Sequence, residues 1–267
     1  MHLTRSTDRL VAIAGIASLF EENFGSRATF GLWIELLNEE LLWTTNPFTR
    51  SATHGWNAPS WSWANLENCS IVPSKALLPG ETHDLGFDRC LEVTAAPIIR
   101  MPPHIGFPNL PPVDVESGFL CLQGKLVPCG LQKGPYGIFL RQQSTSKSAL
   151  HNDRIGYFKS DVQLTVEEED ADYYYCLLIR SELHYISGWN EYHQMKYFGL
   201  VLVPVQKVAN YPLQQSAERY FVRMGIHSEY RKSSEDDEFR HDPDLADQQR
   251  DQYFWTFAGE DQDVTIV

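Results

Sequence analysis

The sequence predicts an α+β protein in which an N-terminal helical segment packs on a mainly antiparallel β-sandwich or barrel-like region. Three observations carry that expectation. Apolar residues recur at three- and four-residue spacing near the N-terminus. After Pro59, short β-branched and aromatic runs separated by Gly, Pro, Asn and Ser take over. Five of the seven tryptophans (Trp33, Trp43, Trp56, Trp61, Trp63) lie where the two textures meet.

Leu10, Ile13, Ala14, Ala17, Phe20 and Phe24 follow the helical period, with Ser6 or Thr7 as the potential cap and Gly25 as the stop, which predicts a helix over 7–24. A second helix is predicted over 30–43, where Trp33, Leu37 and Leu41 share a face, Leu36 and Trp43 lie nearby, and Pro47 closes it. Residues 1–58 therefore form the helical segment and 59–267 the antiparallel β-rich region. Strands are expected at 60–64, 90–96, 118–127, 137–141, 154–158, 173–179, 198–205, 220–227, 253–257 and 263–267. Pro102, Pro103, Pro108, Pro111 and Pro112 mark a loop, because proline cannot donate to a ladder or propagate a helix. No internal repeat is visible.

In Ala58-Pro59-Ser60-Trp61-Ser62-Trp63-Ala64 two tryptophans stand two residues apart, and on a strand their rings project from one face. The preferred reading is a seam on which the helices pack, each indole burying roughly 200 Å². The alternative is a carbohydrate-stacking platform, but the motif lacks flanking polar groups to bind a sugar.

The chain has 22 Lys+Arg against 35 Asp+Glu, a formal net charge of −13, which excludes a nucleic-acid or anionic-membrane binder as the default. Most of that charge sits in two acidic loops. Residues 161–172 hold six acids and no base; residues 228–252 hold nine acids against four bases. The second, with Ser233 and Ser234 beside four acids, reads as a solvated loop; regulatory phosphorylation and weak calcium binding are the alternatives, and EF-hand spacing is absent.

Residue spacing also limits the chemistry. Cys69, Cys90, Cys121, Cys129 and Cys176 are odd in number and contain no Cys-x-x-Cys, so they read as buried reduced thiols of a cytosolic or nuclear protein. The nine histidines are scattered; His184 and His193 are the closest interior pair, with Glu191 between them, and no metal-binding spacing exists. Neither Gly-x-Ser-x-Gly nor a Gly-rich phosphate loop occurs. Glycosidase-type carboxylate pairs are not ruled out by spacing, but the acids cluster in loops. The longest apolar run, 10–20, is about half a membrane span and reads as an amphipathic helix rather than a secretory signal, because Asp8 interrupts its basic flank. Asn68-Cys69-Ser70 would be a glycosylation acceptor only in a secreted chain.

Leu3-Thr4, Asp8-Arg9-Leu10-Val11-Ala12-Ile13-Ala14-Gly15-Ile16-Ala17, Gly31-Leu32-Trp33, Leu41-Leu42-Trp43 and Pro59-Ser60-Trp61-Ser62-Trp63-Ala64 occur in an order and spacing that resemble the stretch following the HET domain of fungal heterokaryon-incompatibility proteins. The specific match covers roughly the first 65 residues; Gly199-Leu200-Val201-Leu202 and 220–225 resemble that family's variable β-rich region in texture. Asp8, Arg9, Leu10, Gly15, Gly31, Trp33, Trp43, Pro59, Trp61 and Trp63 form its structural or interaction signature. The Ser-Tyr-x-Trp-Gly-like and Trp-Thr-x-Gln-Glu-like blocks of the HET core do not occur here, so no catalytic residue carries over. That departure implies a short member of the family or a gene model starting late at an internal Met.

The resemblance thus implies a non-enzymatic module lacking the HET effector core, with a protein-interaction or regulatory role in fungal self/non-self recognition. It implies a HET-core-containing protein as partner; charge, spacing and the short apolar run lead to no cofactor, metal, nucleic acid or membrane being expected, and the cysteines to a cytoplasmic or nuclear location. It also predicts an exposed apolar patch on the first helix. NAD cleavage by analogy with TIR-like cores is not expected. The alternative function is a small-molecule or glycan-binding β-module, or a hydrolase built on one, which needs Trp61 or Trp63 exposed in a groove.

Overall fold

The structure, a computed structural model, describes residues 8–46, 58–66, 70–72, 88–94, 98–100, 119–124, 126–135, 137–142, 154–186, 192–207, 220–232 and 262–267. The first helix, α1 (Asp8–Phe24), matches its prediction to within a residue. Gly25 ends it in the left-handed region at φ +69°, its N–H donating back to Glu21 O over 3.0 Å.

The second predicted helix does not form as one element. From 28 to 46 the chain makes a hairpin of β1 (Ala28–Thr29) and β2 (Leu32–Trp33), a 3₁₀ turn at Ile34–Leu36, the single-turn α2 (Leu37–Glu40), and then β3 (Thr44–Asn46). The cause lies at Phe30 and Gly31, both at positive φ (+46° and +85°), which reverse the chain between β1 and β2. The predicted strand at 60–64 is likewise absent: Ser62 accepts a hydrogen bond from Ala64 N at 3.1 Å and caps a 3₁₀ turn at Trp63–Asn65. β4 (Ser70–Val72) pairs with β3, so a strand from each side of position 58 meets in one small sheet.

The other strands are β5 (Asp88–Thr94), β6 (Ile98–Arg100), β7 (Leu120–Gly124), β8 (Leu126–Gly134), β9 (Gly137–Gln142), β10 (Arg154–Ser160), β11 (Tyr174–Ile186), β12 (Tyr192–Pro204), β13 (Tyr220–Lys232) and β14 (Gln262–Ile266). The expected strand at 118–127 is therefore two, and 253–257 lies outside the described residues, as do Trp56, Cys69, the Pro-rich stretch 101–112 and 233–252.

Antiparallel pairing runs β10-β9-β8-β11-β12-β13, and β10 pairs again with β13, closing a ring of six strands. β14 joins the outside of the ring parallel to β13 and carries β7 and then β6; β5 adds to the far arm of β11. The ring strands alternate. Val127, Cys129, Leu140, Phe158, Cys176, Leu178, Val201, Val203 and Val222 form an inner core. Leu177, Ile179, Leu200, Leu202 and Phe221 point the other way, into an outer core shared with Leu37, Leu41, Leu42, Trp43, Trp61, Val264 and Ile266. β11, β12 and β13 are thus buried on both faces, which is why they read as near-continuous apolar runs.

At one point the ring departs from regular pairing. On β12, Val201 opposes Gly225 and Leu202 opposes Arg223, so Met224 is the extra residue of a β-bulge. Gly225 sits opposite Ser160 of β10, so close that a Cβ there would stand 2.2 Å from Lys159 O; only glycine allows this approach.

Candidate interaction surface

Two features of the N-terminal half could carry function: the seam joining it to the ring, and the face of α1 that the seam leaves uncovered.

The seam is built by the Pro59-Ser60-Trp61-Ser62-Trp63-Ala64 motif through its serines and main chain as much as its indoles. Ser60 N donates to Val267 O at 2.9 Å, and the Ser60 hydroxyl donates to the same oxygen while accepting from Arg223 N at 3.0 Å. Trp61 is fully buried, edge-on to Phe30 (centroids 5.4 Å apart, planes at 87°), and its carbonyl accepts the Trp43 indole N–H at 3.0 Å. The Ser62 hydroxyl donates to Phe30 O at 2.6 Å, and the Trp63 indole N–H donates to Gly31 O at 2.9 Å. Gly31 is required on two counts: its φ is left-handed, and a Cβ there would meet the Trp63 ring at 2.7 Å. Pro59 is buried beside them.

Under the seam lies a buried ion pair. The bulge at Met224 turns its carbonyl to Asp161 N (2.8 Å) and to the Ser160 hydroxyl (3.3 Å), which sets Asp161 beside Arg223. Arg223 Nε donates to Asp161 Oδ2 at 2.7 Å, Nη1 to Leu41 O at 2.5 Å and Nη2 to Trp43 O at 2.6 Å. Its guanidinium lies 3.5 Å from the Trp43 ring centroid, a cation–π contact. Burial pushes the Asp161 carboxyl up, against the pull of Arg223 and Lys159. It pushes Arg223 down, against the hold of Asp161.

The acidic stretch 161–172 is tied to the ring at several points. Asp161 is buried, Glu169 pairs with Lys133, Asp172 with Arg141 at 2.6 Å, and the Glu168 carboxylate accepts from Thr165 N at 2.7 Å.

Each signature residue now has a place. Arg9 donates to Leu66 O, and Leu10 packs on Ala58 and Ala64 with Ile13, Phe30 and Trp63 beside them. Trp33 is half-buried, 5.7 Å from Phe20, and its N–H donates to the Glu40 carboxylate. Asp8 is the exposed first residue of α1, and Gly15 has nothing within 4 Å of where a Cβ would stand. The sequence reading missed Arg223, Asp161 and Ser60; the available signal was a lone arginine within the apolar run 220–226.

Residues 10–20 of α1 contain no charged side chain, and a helix apolar on all sides is ordinarily covered on all sides. Here only one side is. Val11, Ile16 and Leu19 are 53%, 59% and 59% exposed on the other side, and Phe20 and Phe24, with ring centroids 5.3 Å apart and 46% and 72% exposed, extend the apolar surface around the C-terminal end of the helix. Among the described residues nothing covers this face, the patch expected from the sequence.

Glu40 is the titratable group that ties the β1–β2 hairpin to α2. Burial lifts its carboxyl to about 6 from 4.5, against the lowering effect of the Trp33 N–H, with the neighbouring Glu39 adding to the rise. The folded state therefore holds this proton more tightly than the unfolded chain. Its contribution to stability grows as pH falls from about 6 towards 4.5, and the carboxylate costs stability at neutral pH. Glu40→Gln keeps an acceptor for Trp33 and is expected to stabilise the protein near pH 7 by less than about 1 kcal/mol, the site being partly solvated. Thermal melts at neutral pH and below 4.5 check this: the gain should vanish at the lower pH.

Among the described residues no group of three or more His, Cys, Asp or Glu could hold a metal ion, and no helix is long and apolar enough to cross a membrane. His184 and His193 lie opposite Gln194 and Tyr185 on the β11–β12 arms. Cys129 and Cys176 are buried in the ring, and burial pushes the Cys129 thiol well up, so it is not a nucleophile at neutral pH. No protein-family model, curated protein or solved structure matches the chain.

Proposed function

We propose that this chain is a non-enzymatic protein-interaction module, acting inside the cell on a HET-core-containing protein and regulating fungal self/non-self recognition. The observation that supports this reading is the open apolar face of α1, held in place by a seam made from the residues that carry the HET-family resemblance. Covering Val11, Ile16, Leu19 and Phe24 would remove apolar surface from water at roughly 25 cal/mol per Å². The glycan-binding or hydrolytic alternative needs an indole face open in a groove. Trp61 offers none, and the Trp63 indole N–H is engaged by Gly31 O.

Co-expression with HET-core-containing proteins of the same genome provides the test. The chain is expected to co-elute with one of them on size exclusion, and Ile16→Asp/Leu19→Asp to abolish co-elution. Both positions are exposed, so the melting temperature should change by no more than about 2 °C. Separate elution of the unmodified chain from every such protein would sink the proposal.

A further inference from the structure

We draw no further inference here: the strongest candidate, the exposed apolar face of α1 around Val11, Ile16 and Leu19, belongs to the surface already described, and nothing in the structure shows what covers it.

Discussion

Arg223→Met is expected to cost about 3–5 kcal/mol of folding stability, read as a lower denaturation midpoint with an unchanged urea slope. The side chain is fully buried, and its loss strands the Asp161 carboxylate and leaves Leu41 O and Trp43 O without their donor. Each stranded buried group carries a penalty of about 1–3 kcal/mol, more for the charged one. Replacing both partners, Arg223→Met/Asp161→Leu, should recover part of the loss because no charge is then left alone. It should not recover all of it, since the two carbonyls stay unsatisfied. Should the single variant fail to fold, Arg223→Lys gives a milder reading: the charge stays, but one ammonium cannot reach Asp161, Leu41 and Trp43 from the places the planar fork does. A loss below about 1 kcal/mol for Arg223→Met would mean that this pair does not join the N-terminal segment to the ring.

The second large effect belongs to Trp61. Trp61→Ala is expected to destabilise by about 3–5 kcal/mol, the usual cost of emptying a large aromatic site. Its ring is fully enclosed by the outer core and edge-on to Phe30, and the rigid turn around it gives the neighbours little room to collapse. Trp33→Ala, at the half-buried rim beside Phe20, should cost clearly less, about 1–2 kcal/mol. Equal costs at the two positions would show that Trp61 is no more central than the rim. Near-UV circular dichroism of Trp61→Ala should also lose much of the aromatic signal, because that ring is held by its surroundings on every side.

Where local pattern and final structure agree, the reason is that the pattern is itself the structural cause. Leu10 and Ile13 recur at helical spacing because one side of α1 packs on Ala58, Ala64 and Trp63. The apolar runs of β11, β12 and β13 mark strands sandwiched between two cores. Local pattern misleads where a distant partner or a single backbone torsion decides. Trp33, Leu37 and Leu41 keep a four-residue spacing that suits a helix, yet the turn at Phe30 and Gly31 breaks the element at its start. Trp61-Ser62-Trp63 alternates like a strand, but the Ser62 hydroxyl caps a 3₁₀ turn instead. The far arms of β11 and β12, including His184 and His193, are rich in polar residues, so their pairing reveals them more than their composition does. Asp161 counts in the sequence as one of six acids in an acidic loop, and its burial cannot be read there because its counter-ion is 62 residues away. The open face of α1 follows from the family resemblance and not from residue pattern, which reads 10–20 as an ordinary amphipathic helix.

The bonds from Ser60 to Val267 span 207 residues, so the Trp-rich motif cannot reach its final state during the first part of synthesis. At roughly 5–20 residues per second, a ribosome needs about 10–40 s after Ser60 emerges before Val267 exists to accept its hydrogen bonds. Closing so long a loop is also slow for topological reasons. Over that interval the seam lacks its last partner, and the Ser60 hydroxyl and main-chain N–H stay open to water or to whatever chaperones surround the nascent chain.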